Sequence, residues 1–464
     1  MSTSTIKKAT FASTIGMILA TAGSAVGLGN IWRFPTMTGE NGGAAFIMIY
    51  MIFNVLIGFV GMVAEFTVGR HSGLNPVRAY IQAGGEKEDG TMRKHSNLWG
   101  IMGIVGALCT SLVLSFYSVV AGWCIYYLFL AFDDMVLGTP DFVSNTFGRL
   151  IGQDGIYTCC SISVIFILLT FFIVERGVQK GIERASKIMV PGLFVLLIIL
   201  GIASCSLPGA SAGLEYLFMP DLSKVTWHTV FEAMSHSFFS LSLGTACLCT
   251  YASYMKHETN LAKSALEIAC IDVGVAIMAG IMIFPAAFSV GVQPDSGPSL
   301  IFITLPNVFT QAFPHTIAYV ISILFYALLV LAALTSTISM LEIGTVVMEQ
   351  ELHLTRRMAA LIETLFCCIV GGLCALSFAH PEIGIAGKTL FDNCDYITAK
   401  FFMPLGGMVT CILVGWIMSR ESVMAQLTNY FRLQIKPWVI TLFYFLVRFV
   451  CPILIGIIFI LNLV

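Results

Sequence analysis

The sequence predicts an all-α membrane protein with about eleven transmembrane helices, set out as two inverted five-helix repeats whose helices 1 and 6 are broken. Three observations predict this. Of the 464 residues, 57% are hydrophobic and only 11% charged, with a mean hydropathy of +0.89; a water-soluble domain needs more polar surface. Stretches of the roughly 20 apolar residues that a span needs recur near 11–37, 41–70, 98–132, 157–174, 183–204, 228–255, 261–291, 315–350, 354–379, 387–419 and 438–463. The first and sixth of these are interrupted by Gly and Ser at matching places in the two halves, a pattern that marks a binding site near the bilayer midplane. The chain reads as one domain over 1–464, with 11–204 and 228–419 as the repeats and 438–463 as an additional helix. The repeat rests on hydropathy alone.

Charge sets the orientation. Met1 to Thr10 is polar, carries Lys7 and Lys8, and has no cleavable signal pattern, so the first span is expected to stay as an anchor. With the N-terminus cytoplasmic, the outer loops take only Arg149, Lys224 and Lys388 while the inner loops take most other Lys and Arg. That positive-inside bias fits an inner-membrane, multi-pass protein, its C-terminus outside if the span count is odd. The fourteen cysteines lie mostly in apolar runs without metal-binding spacing, where Cys acts as a small hydrophobe. A bridge between Cys159 or Cys160 and Cys205 is open on position alone.

The first span contains ATAGSAVGLGNIWRFP, Ala20 to Pro35. Each Gly costs a helix roughly 1 kcal/mol relative to Ala, so this span is weakest where it lies deepest. Backbone freed there must be satisfied by protein or a watery cavity, and the exposed carbonyls and amides suit an ion-coupled transport site. Glu65 in the second span is either a partner for amides of the broken first helix or a transport residue. In the third, Val113 and Tyr117 share a helix face. The sixth has SFFSLSLGT, with Ser240, Ser242, Gly244 and Thr245 together, although Ser can simply back-bond to its own helix. Asp272 in the seventh is equally a buried protonated acid or an ion-facing one. Thr335, Ser336 and Thr337 in the eighth cannot all face one neighbour, so at least one should line a cavity. Asp392 and Asp395 open the tenth, where a carboxylate could meet Arg33 or face water. Arg448 in the last span has no account beyond interfacial snorkelling.

GSAVGLGNIWRFP with ENGGAAF after it, then SFFSLSLG with TYASY, FPAAF, FITLP and LTSTIS, resemble the neurotransmitter:sodium symporter family, specifically its bacterial amino-acid transporters. The likeness runs over nearly the whole chain, and an end after eleven spans resembles a bacterial subgroup lacking the twelfth. The bacterial leucine transporter of this family is itself the type example of broken helices in inverted repeats, so agreement on that point is not independent.

The resemblance implies no enzyme but a sodium-coupled symporter, importing a neutral, hydrophobic or aromatic amino acid by alternating access. It implies two sodium sites, and sodium as a hard cation wants oxygen ligands. The first would use Ala25, Asn30, Ser240 and Asp272 with the substrate carboxylate; the second would use Gly23, Val26, Ala332, Thr335 and Ser336. The pocket would comprise Ser24, Ala25, Gly27, Gly29, Val113, Tyr117, Phe239, Ser240, Ser242, Thr245, Thr337 and Met340. Gly27 stands where amine carriers have Asp, and Thr245 where the leucine transporter has a bulky aromatic. Arg33 with Asp395, and Tyr117 over Phe239, would form the outer gate.

The chain departs from the family at the inner gate, where Lys8 replaces Arg and Gln350 replaces Asp, with Glu349 or Glu351 as substitutes. Animal members place a neutral Asn at Asp272 and a Ser at Ala276. A fixed carboxylate there implies no chloride requirement. The implied partners are the amino acid and the lipid bilayer, with neither nucleic acid nor protein. The alternative within the class is another small zwitterion such as an osmolyte. A channel or intramembrane enzyme is remote, since the sequence has no selectivity-filter signature, HExxH or GxSxG.

Overall fold

Helix forms wherever this chain is apolar, because a peptide group in hydrocarbon can be satisfied only within its own helix. The structure, a computed structural model, describes residues 10–86, 91–93, 96–291, 300–385 and 387–461. Among these, nine helices are long and apolar enough to cross a membrane, and one further pair qualifies as a bent span. The bent pair is α1 (Thr14–Ala25) and α2 (Gly29–Glu40), which meet at 54°. There follow α3 (Ala44–Ser72), α4 (Ser96–Phe132), α5 (Ile156–Val174) and α6 (Val178–Cys205). The stretch expected as the sixth span divides into α7 (Trp227–Ser240) and α8 (Cys247–Ser253), each too short to cross alone. The chain continues through α9 (Leu261–Ser289), α10 (His315–Glu351), α11 (Arg356–Ala379), α12 (Leu390–Ile417) and α13 (Pro437–Leu461).

Short polar side chains open these helices by taking otherwise orphaned amides. Ser13 does so for α1, Asn260 for α9 and Thr355 for α11. Thr226 and Thr229 make a reciprocal capping box at α7. The long α4 and α10 pack along each other, α1 lies against α6, α9 and α10, and α8 lies against α3. The two broken elements are thereby held at the centre of the bundle.

Gly16 and Gly23 remain inside α1. A Cβ at Gly16 would overlap the Glu183 side chain, and one at Gly23 would touch Thr335 and Val190 at 3.4 Å. Close packing keeps these glycines helical, and the break falls at Val26–Leu28.

All fourteen cysteines are free, so the open question of a bridge is answered: Cys159 instead meets the Trp123 indole at 3.1 Å.

Candidate functional site

Between the two breaks lies a cavity of about 70 Å³. Eleven of the residues expected in the pocket line it: Ser24, Ala25, Gly27, Gly29, Val113, Tyr117, Phe239, Ser240, Ser242, Thr245 and Met340. Thr337 does not; its hydroxyl meets Thr170 of α5 at 3.0 Å and the Leu334 carbonyl at 3.2 Å. The reason is helical geometry. Ala332, Thr335, Ser336, Ser339 and Met340 follow i, i+3, i+4, i+7, i+8 and share one face, whereas Thr337 points off it. Ser339, Thr110, Phe116, Cys247 and Met403 also line the cavity and were missed. The same periodicity would have found Ser339 from Ser336, and Thr110 from Val113 and Tyr117.

The second break is shaped by backbone that ordinary helix does not allow. Ser242, Gly244 and Ala246 all have positive φ, at 52°, 79° and 61°. A Cβ on Gly244 would overlap the Met403 carbonyl oxygen, and one on Gly406 would overlap the Gly244 carbonyl. Close approach of α12 therefore requires glycine on both sides. The freed Gly244 amide donates to Glu65 Oε1 at 2.6 Å. Glu65 thus supports a broken helix, but it is the sixth stretch and not the first. Ser242 Oγ donates to the Ser24 carbonyl at 3.4 Å, tying the two breaks together.

Two oxygen-rich clusters flank the cavity. In one, Thr335 Oγ1 and Ser336 Oγ each donate to the Val26 carbonyl at 3.1 Å, Ser336 also reaches the Gly23 carbonyl at 3.4 Å, and Thr335 the Ala332 carbonyl at 2.9 Å. In the other, buried Asp272 accepts from Asn30 Nδ2 at 2.7 Å, from Ser240 Oγ at 2.8 and 3.0 Å, and from Tyr50 Oη at 3.2 Å. Tyr50 was not anticipated. Asn30 Oδ1 in turn accepts the Gly27 amide at 3.0 Å, and Ala25 lines the cavity beside it. Among the described residues, no group of three or more His, Cys, Asp or Glu gathers as a transition-metal site. These are hard-oxygen clusters, suited to an alkali cation.

Above the cavity opens a vestibule of about 340 Å³, lined by Arg33, Glu40, Asp392 and Asp395 among others. Tyr117 and Phe239 line both spaces and so form the partition. Arg33 and Asp395 share the vestibule without an ion pair; the Arg33 guanidinium sits 4.2 Å from the Phe239 ring centre. At the opposite end the helices are laced shut. Glu183 accepts from the Ala12 amide at 2.7 Å and pairs with Lys187, and Glu342 binds Arg356 and takes the Tyr254 hydroxyl at 2.6 Å. Of the carboxylates considered as inner-gate substitutes, Glu351 pairs with Arg78 at 2.8 Å and Glu349 with Arg356 at 3.5 Å. Gln350 accepts the Asn75 amide at 2.8 Å. Lys8 lies outside the described residues.

The sequence model of the Sodium:neurotransmitter symporter family matches residues 8–139 and 150–464. The chain belongs to this family. As a member it is a sodium-coupled symporter in the membrane, and not an enzyme. The symporter is 36% identical to the uncharacterized sodium-dependent transporter YhdH of Bacillus subtilis over 99% of its own length and 98% of the relative's. An uncharacterized sodium-dependent transporter of Haemophilus influenzae is 31% identical over the full length of both. The crystal structure of MhsT in complex with L-phenylalanine matches it at a TM-score of 0.86 and 37% identity, covering 97% of this chain and 99% of that one.

Proposed function

We propose that the symporter imports a hydrophobic or aromatic amino acid together with two sodium ions. The observation that carries the substrate class is the likeness, at 37% identity, to MhsT with L-phenylalanine, read beside a cavity walled by Val113, Phe116, Phe239 and Met340. Those walls favour an apolar side chain. The polar edge favours a zwitterion. The Tyr117 oxygen accepts the Leu28 amide at 2.9 Å, which leaves its own proton to donate to a carboxylate, with the Gly29 amide beside it. Carbonyls freed at the two breaks would take the ammonium.

Sodium at the Asp272 cluster would be held by Ala25, Asn30, Ser240 and Asp272 with the substrate carboxylate as a further ligand. Each therefore strengthens binding of the other, and that reciprocal free energy is the coupling. Gly23, Val26, Ala332, Thr335 and Ser336 would hold the second ion. Asp272 supplies the negative charge that a buried cation needs, so no chloride is required. Closure would swing Arg33 onto Asp395 over Tyr117 and Phe239, while the network around Glu342 and Glu183 loosens at the other end. The topology we infer has repeats at 11–204 and 228–419, an extra helix at 438–463, a cytoplasmic N-terminus and an outside C-terminus.

Uptake of labelled L-phenylalanine into proteoliposomes tests this. Accumulation above the outside concentration, driven by an inward sodium gradient and abolished when potassium replaces sodium, is expected. Uptake that only equilibrates, or that betaine outcompetes, would overturn it.

A further inference from the structure

We infer that the junction of α12 and α13 holds the headgroup of an anionic phospholipid. Both helices carry π-helical turns there, at Leu413–Ile417 and Leu446–Val450, and such turns release backbone groups. The two turns satisfy each other: Arg448 Nε donates to the Gly415 carbonyl, and the Trp416 indole donates to the Arg448 carbonyl at 3.2 Å. A Cβ on Gly415 would lie 2.9 Å from Arg448 Cγ, so glycine permits the contact. Arg448, without an account from sequence, is thereby fixed at a defined place.

Beside it lies a cavity of about 250 Å³ lined by Arg420, Thr441, Tyr444, Phe445, Arg448 and Phe449. The guanidiniums of Arg448 and Arg420 stand 4.9 and 5.7 Å from the Tyr444 ring centre. Neither has a carboxylate partner among the described residues. Tyr444 is 8% exposed and its hydroxyl lacks a hydrogen-bond partner. Trp416, Phe445 and Phe449 are exposed around the rim, as suits a lipid-facing surface. Two planar donors without a counter-charge and an apolar rim fit a phosphodiester with acyl chains. A zwitterionic headgroup would bring its ammonium to two cations, so the site favours net negative charge. None of these residues lines the transport cavity.

Delipidated protein in an uncharged detergent, titrated separately with short-chain phosphatidylglycerol, phosphatidylcholine and inorganic phosphate and followed by native mass spectrometry, tests the site. Phosphatidylglycerol should bind more tightly than phosphatidylcholine, and R420Q and R448Q should each weaken it about fivefold. R448Q also removes the hydrogen bond to the Gly415 carbonyl; the Arg420 guanidinium, 5.7 Å from the Tyr444 ring centre, makes no ion pair among the described residues, so R420Q keeps the test sound. Equal binding of the two lipids, or binding unchanged in both variants, would overturn the inference. Displacement of the lipid by inorganic phosphate would reassign the site to a soluble anion and equally overturn it.

Discussion

At the residue scale, single atoms decide what the site admits. A Cβ on Gly27 would stand 2.5 Å from Ser336 Oγ and 2.9 Å from Tyr117 Oη, in the space proposed for the substrate carboxylate. Gly27→Ala should abolish L-phenylalanine uptake, whereas Gly148→Ala, with nothing within 4 Å, should leave it unchanged; transport by both variants in parallel checks this. Thr337→Val removes a hydroxyl that faces α5 and not the cavity, so the KM for substrate should stay within about twofold while stability falls by about 1 kcal/mol. A tenfold rise in KM would return Thr337 to the pocket. The sequence indicated that at least one of Thr335, Ser336 and Thr337 lines a cavity; that Ser336 does, while Thr335 turns to the Val26 carbonyl and Thr337 to Thr170, needed the helix phase.

At the element scale, two helices are interrupted for one reason, and their stability is borrowed from neighbours. Left-handed conformations at Ser242 and Ala246 cost about 1–2 kcal/mol each, offset by the packing of α3, α4 and α12 around them. Gly244→Ala adds a clash with the Met403 carbonyl to the cost of φ at 79°. It should sharply lower the yield of folded protein, measured by size-exclusion chromatography in detergent. Glu65→Ala orphans the Gly244 amide and should cost about 1–3 kcal/mol, while Glu65→Gln keeps an acceptor and should cost less; thermal unfolding in detergent separates the two. The first break was readable because Gly and Asn crowd into it. The partner of Glu65 was not, because it lies 179 positions away and no local pattern names it.

At the scale of the whole molecule, the vestibule is open on one side and the Glu183 and Glu342 networks close the other. Alternating access would require a second arrangement in which these networks part. Charge balance at this scale makes its own prediction. With Asp272 buried in the cluster it shares with Asn30 and Ser240, replacing chloride by gluconate should leave sodium-driven uptake unchanged. A several-fold fall would show that the carboxylate does not supply the needed charge.

Hydropathy, the Gly and Ser interruptions and the Lys and Arg distribution were enough to predict a helical membrane bundle broken at two places, because hydrocarbon leaves the backbone so few options. Motif likeness added the proposed ligand set. Only the tertiary structure decided which hydroxyls of α10 face inward, that Tyr50 joins Asp272, that Glu65 serves the second break, and that Arg448 docks on Gly415. Each of these is a contact between residues far apart in the chain, set by helix rotation and close approach, and neither quantity is written in local composition.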